Sequence, residues 1–168
     1  AGVRPGESVA VFGVGGVGLS AVVAASVIGA EQIIAVDLDD EKLAFAMKFG
    51  ATHSVNAVGG DAIEQIRAIT RGRRDGLGFR GMAIEGVDYA FDCIGVKATM
   101  EQIVAAVRPG RFGVERGGTA VLVGVPESGA GDEEILRFVA SVADLAAASL
   151  ANTQRLRDTT AEALAYRA

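Results

Sequence analysis

Apolar positions along this chain follow two alternating rhythms. Short, β-branched runs such as Val9-Ala10-Val11-Phe12 and Ile33-Ile34-Ala35-Val36 stand apart from longer stretches in which apolar residues return every three or four positions. The first rhythm is that of a strand covered on both faces, the second that of a helix packed along one stripe. They predict a strand at Ser8–Phe12, a helix at Gly16–Ile28 stopped by Gly29, and a strand at 32–36. A second helix starts from Asp39 or Asp40 as N-cap, runs through Leu43, Phe45, Ala46 and Met47, and ends at Gly50. A short strand at 52–56 follows, then a helix opened by Asp61, with Glu64 three residues on in the manner of a capping box, reaching Thr70. Residues 87–93 read as the fourth strand and Thr99-Met100-Glu101-Gln102 as the cap of a fourth helix that ends before Pro109-Gly110. Residues 119–123, nearly all apolar, read as a fifth strand with both faces covered.

Strands alternating with helices imply right-handed crossovers and an α/β, doubly wound parallel sheet, with the expected strand order 3-2-1-4-5. Two glycine-rich segments, 71–86 and 110–118, interrupt the alternation. Both connect a helix to a strand, which places them at the sheet end opposite the strands' carboxyl ends. Arg71, Arg73 and Arg74 therefore stand on the wrong side to serve a ligand there. From Asp132 to Ala168 there is neither Gly nor Pro, and Ile135, Leu136, Val139, Val142 and Leu145 recur at near-helical spacing. The expected organisation is one domain at 1–128 with a helical extension at 129–168 that covers the sheet, docks a protein partner or self-associates.

The run from Val9 to Gly18 carries the most chemistry. A strand leads into Gly13-Val14-Gly15-Gly16-Val17-Gly18, a helix follows, and a second strand ends at Asp37. A dinucleotide requires this order: Gly13 for the tight turn, Gly15 for close approach of the pyrophosphate, and Gly18 for helix–strand packing. The phosphates would face free N–H groups around Gly16 and Val17, at the positive end of the helix dipole. Asp37, about 20 residues beyond the last glycine, suits the two ribose hydroxyls of NAD and opposes a 2′-phosphate. Leu38 stands where an NADP-preferring site more often has arginine. A methyl-donor-binding α/β fold also uses a glycine turn and an acid, but its turn normally lacks the third glycine.

A net charge of −5 and the absence of Trp argue against nucleic acid and anionic membranes. No apolar run of spanning length and no leader are visible, so the cytoplasm is the expected location. The single cysteine, Cys93, excludes an internal disulfide and fits a reducing compartment. A catalytic zinc needs about three protein ligands, and one histidine, His53, with one cysteine falls short of that set. Ser20 has no histidine placed to activate it, so no nucleophilic triad is expected.

The chain resembles the coenzyme-binding Rossmann domain of the medium-chain, zinc-dependent alcohol dehydrogenases, most of all the class III type that oxidises thiol-formaldehyde adducts. The resemblance is carried by Val3-Arg4-Pro5-Gly6-Glu7-Ser8 and the glycine run after it, Ala35-Val36-Asp37, Phe49-Gly50-Ala51-Thr52, Phe91-Asp92-Cys93-Ile94-Gly95 and Val121-Leu122-Val123-Gly124-Val125-Pro126. It implies that Asp37, assisted by Lys42, binds the adenosine ribose, and that Leu38 and Ile94 sandwich the adenine. It further implies that Val17 packs near the nicotinamide and that the backbone around Val123 and Val125 holds the carboxamide.

In that family the catalytic zinc ligands lie in a separate domain, before the point where this chain begins. The family's final strand is expected after Pro126, where an alanine-rich helical pattern stands instead. The resulting expectation is an NAD(H)-binding module with no catalytic or metal-binding residue of its own, inactive towards alcohols in isolation. A stand-alone or accessory NAD-binding module and a truncated, inactive remnant are the alternatives.

Overall fold

The computed structural model describes residues 1–71, 85–110 and 117–124. Among these residues nine elements follow in order: β1 Ser8–Phe12, α1 Gly16–Ile28, β2 Gln32–Asp37, α2 Asp40–Lys48, β3 His53–Asn56, α3 Ala62–Thr70, β4 Tyr89–Asp92, α4 Lys97–Ala106 and β5 Thr119–Leu122. The five strands form one parallel sheet in the order β3-β2-β1-β4-β5, as the alternation predicted.

The continuous apolar runs have a simple explanation. Successive side chains of a strand point to opposite faces, so a strand with helices on both sides must be apolar throughout. Ala10, Phe12, Ile34 and Val36 pack with Ile66 of α3 and Ile103 of α4 on one face. Val9, Val11, Ile33 and Ala35 pack with Val22 of α1 and Leu43 and Ala46 of α2 on the other. β1, in the middle, is buried along its whole length.

Local signals account for most element ends. Gly29 closes α1 in the left-handed region at φ 83°, and its N–H reaches the carbonyls of Ala25 and Ser26. Asp39 caps α2, its carboxylate accepting from the N–H groups of Glu41 and Lys42, and Asp61 caps α3 through Ile63 and Glu64. Only half of the expected capping box forms, for the Glu64 carboxylate lies 3.8 Å from Arg71.

Two expectations are corrected. Thr99 does not cap α4: the helix starts at Lys97 behind Val96, which offers no side-chain cap, and the Thr99 hydroxyl donates back to the Val96 carbonyl at 2.9 Å. A hydroxyl in the first turn can bond backwards as easily as it can cap, and the sequence pattern does not separate the two. Among the described residues nothing covers both faces of β5, whose Thr119, Ala120 and Leu122 are exposed and Val121 half-buried. An apolar run reports the capacity to be covered, whereas coverage depends on what packs against it.

The glycine-rich segments fall largely outside the described residues. The first leaves at Arg71, which pairs with Glu85 at 2.8 Å where the chain returns, before β4. Arg71 is thus engaged away from the carboxyl ends of the strands, and Arg73 and Arg74 lie outside the described residues. The C-terminal extension at 129–168 also lies outside them.

Candidate dinucleotide site

The strand order reverses direction between β1 and β4, and both strands end at the same edge of the sheet. Helices leave that edge on opposite faces, which opens a crevice beyond the carboxyl ends. A cleft of about 630 Å³ lies there.

Its floor is the glycine turn. Gly13 has φ +82°, which an L side chain rarely adopts, and a Cβ there would come within 2.4 Å of the Ile94 side chain. Gly18 lies against the same turn, where a Cβ would fall 1.8 Å from the Gly13 carbonyl oxygen, so it sets how closely α1 approaches β1. Gly15 and Gly16 differ: a Cβ on either would meet nothing within 4 Å. These two are open to a ligand.

The first bond of α1 runs from the Leu19 N–H to the Gly15 carbonyl at 2.8 Å. The N–H groups of Gly16, Val17 and Gly18 therefore have no partner within the helix, and Gly16 and Val17 are exposed. Free donors at the positive end of a helix form an anion site.

Asp37 closes one side. One carboxylate oxygen accepts from Val14 N–H at 2.9 Å, and the other from Leu38 and Asp39 N–H at 2.8 and 3.2 Å. The acid is half-buried and held at the end of β2, with lone pairs still available to hydroxyl groups. Lys42, placed in the first turn of α2 by the Asp39 cap, lines the same side. Leu38 and Ile94 both line the cleft with exposed apolar side chains, 65% and 41% accessible.

Asp92 shapes the other side. It is fully buried, and one carboxylate oxygen accepts from Ile94 and Gly95 N–H at 2.9 and 3.1 Å, fixing the turn that presents Ile94. Its backbone carbonyl accepts from Val123 and Gly124 N–H, which ties the end of β5 to β4. Val123 is exposed at that end and outside the cleft lining, while Val125 lies outside the described residues.

The structure thus gathers Gly13, Gly15, Asp37, Leu38, Lys42 and Ile94 around one cleft. The sequence reading missed Ala57, Cys93 and Val96, which follow β3 and β4 and were findable once strand order was known. It also missed Ala98, Thr99 and Gln102, whose spacing on the first two turns of α4 puts them on one stripe. Burial, helped by the neighbouring Asp92 charge, pushes the Cys93 thiol up to about 11.

Among the described residues no group of three or more His, Cys, Asp and Glu could hold a metal. His53 begins β3 and Cys93 follows β4, with β2 and β1 between. Three strand spacings, about 14 Å, separate them across the sheet. The His53 ring nitrogen Nδ1 is engaged with Thr52 at 2.8 Å. This set does not fit a catalytic zinc. No helix among the described residues is long and apolar enough to cross a membrane.

Fold and cleft together define a doubly wound α/β domain with a ligand crevice at its switch point, the architecture of dinucleotide-binding domains. The chain matches the zinc-binding dehydrogenase family model over residues 16–164 and belongs to that family. It is 39% identical over 123 residues to a sorbitol dehydrogenase from Bacillus subtilis, covering 73% of this chain and 30% of that protein. Benzyl alcohol dehydrogenase from Acinetobacter calcoaceticus superposes with a TM-score of 0.59 at 33% identity, over 82% of this chain and 33% of that one. A Sinorhizobium meliloti 1021 protein assigned as a zinc-binding dehydrogenase and bound to NADP gives 0.58 at 30% identity, over 82% and 36%. The chain spans about a third of the length of these relatives.

Proposed function

We propose that this chain is the NAD(H)-holding module of an alcohol-dehydrogenase-type oxidoreductase. The observation that carries the reading is one cleft lined by Gly13, Gly15 and the fixed Asp37 carboxylate, with the exposed Gly16 and Val17 opening α1 next to Gly15. Gly16 and Val17 N–H groups bind the pyrophosphate, Asp37 with Lys42 binds the adenosine ribose, and Leu38 and Ile94 enclose the adenine. Val17 packs beside the nicotinamide, and the chain around Val123 and Val125 takes the carboxamide. When bound, the nicotinamide supplies a hydride acceptor; the chain's own residues orient it and keep water from its apolar side.

NAD is preferred over NADP because a 2′-phosphate would face the Asp37 carboxylate, with Leu38 offering no compensating charge. A relative of the same fold is bound to NADP, so the fold alone does not choose between the two cofactors. The substrate class is an alcohol. The narrower likeness to class III enzymes rests on the sequence motifs alone, whereas the relatives carry the names of sorbitol and benzyl alcohol enzymes. Zinc chemistry, where the complete enzyme uses it, comes from residues other than those described here.

A calorimetric titration of the chain with NADH and NADPH tests the reading. Saturable binding that favours NADH supports it, and no binding at millimolar NADH overturns it.

A further inference from the structure

Gln102 is a polar side chain that the cleft leaves without a partner. It lies half-buried on α4, in the cleft lining, and its side-chain amide makes no hydrogen bond with any described residue. Its neighbour on the same stripe, Thr99, spends its hydroxyl on the Val96 carbonyl. Asp37 and Lys42 line the cleft from β2 and α2, and the surfaces around them are apolar, including Phe12, Val36, Leu38 and Ile94. The amide is half-buried and not among the fully buried polar atoms left without a partner, so water meets it in the open cleft and a ligand can take that water's place.

The walls can stack on any base, because every base has a π-face, so they do not choose between purines. An amide does choose. It sets one acceptor beside one donor, the complement of the adenine N6 amino group beside N7. We propose that Gln102 reads the adenine of the bound dinucleotide, its carbonyl oxygen accepting from N6 and its NH2 group donating to N7. Gln102 is then a specificity-determining residue of the site, an inference that rests on the NAD(H) reading above. Hypoxanthine carries two acceptors along this edge, so the Gln102 carbonyl faces an acceptor whichever way the amide turns.

The experiment is calorimetry of the full chain with NADH and with reduced nicotinamide hypoxanthine dinucleotide, for the unmodified chain, Gln102→Leu and Gln102→Glu. Cofactor-free thermal unfolding of each protein reports whether the fold is kept. A bidentate amide–adenine pair sets the expected preference for NADH at about fivefold or more in the unmodified chain. Gln102→Leu brings the two ligands within about twofold, while Gln102→Glu, an acceptor only, keeps adenine ahead. Equal binding of both dinucleotides by the unmodified chain, or an undiminished preference in Gln102→Leu, overturns this inference and leaves the NAD(H) reading standing. Should Gln102→Leu not fold, loss of the preference in Gln102→Glu overturns it as well. Failure of the unmodified chain to bind either dinucleotide overturns both.

Discussion

The Asp37 carboxylate accepts a hydrogen bond from the Val14 N–H at 2.9 Å, so the acid that ends β2 also holds the glycine turn that follows β1. Its other oxygen takes the N–H groups of Leu38 and Asp39. On the NAD(H) proposal, ribose recognition and support of the glycine turn converge on this one side chain.

Asp37→Ala removes both functions, and Asp37→Asn removes the charge while keeping one acceptor. The asparagine oxygen can serve Val14, or Leu38 and Asp39, but not both, since its NH2 group then faces the remaining N–H donors. Asp37→Ala is expected to lose about tenfold or more in NADH affinity, in line with about 1.5–3 kcal/mol for a charged hydrogen bond. It also lowers the midpoint of cofactor-free unfolding, whereas Asp37→Asn lowers it less and narrows the preference for NADH over NADPH. Calorimetry and thermal unfolding read these outcomes. Unchanged NADH affinity in Asp37→Ala would remove Asp37 from the site.

Two glycines of the same turn respond in opposite ways to one methyl group. A Cβ at Gly18 would fall 1.8 Å from the Gly13 carbonyl oxygen, so Gly18→Ala forces α1 away from β1. A loss of about 1–3 kcal/mol or more in denaturant unfolding is expected, as for other overpacked sites. Gly15 has φ −70° and open space where its Cβ would point, so Gly15→Ala leaves stability within about 0.5 kcal/mol. The methyl would instead stand where the pyrophosphate approaches, so NADH binding weakens by about tenfold or more. A Gly15→Ala chain that binds NADH normally would place the phosphates elsewhere.

That contrast also shows where sequence was informative. The path from Ser8 to Asp37 was legible because its glycines and β-branched runs are constrained locally, and the strand order followed from the alternation of elements. The start of α4 was not legible, since Val96 precedes it with no side-chain cap to read. The exposure of β5 depends on what packs over it, which no residue within the strand encodes. In the cleft, Gly13, Gly15 and Asp37 were foreseeable from spacing, whereas Gly16, Val17 and Gly18 fall outside its lining. Gln102 was hidden in a stretch whose pattern suggested only a helix start, because membership of the cleft arises when α4 is laid beside β4.

At the opposite end of the sheet, Asp88 joins segments distant in sequence. It is 2% exposed, pairs with the Arg108 Nε at 2.6 Å, and accepts from both the backbone N–H and the hydroxyl of Ser8. The start of β1, the start of β4 and the segment after α4 are thereby held together. Removing one member of a buried, hydrogen-bonded ion pair strands the other, at about 3–5 kcal/mol. Arg108→Ala is expected to destabilise by that order in urea unfolding, while Arg108→Met, which keeps much of the stem, loses the pairing but less of the packing. A destabilisation below about 1 kcal/mol for Arg108→Ala would mean that Asp88 is satisfied without it.

Cys93 gives the cleft a pH-dependent reporter. Burial, with the nearby Asp92 charge, raises its thiol to about 11 from an ordinary value of 9.0, so the folded chain favours the neutral form. At pH 8 roughly one molecule in a thousand carries the reactive thiolate, and alkylation by iodoacetamide is expected to be slow and to rise about tenfold per pH unit towards pH 11. Unfolding releases a thiol of ordinary acidity. The stabilisation is therefore fully present below pH 9 and is lost as the pH climbs from 9 through 11. The comparison that isolates the thiol is with Cys93→Ala, whose stability should fall less steeply there. Because Cys93 lines the cleft, NADH at saturating concentration should slow its alkylation further. Rapid alkylation at pH 8, undisturbed by NADH, would contradict both the raised pKa of this half-buried thiol and the proposed place of the cofactor in the cleft.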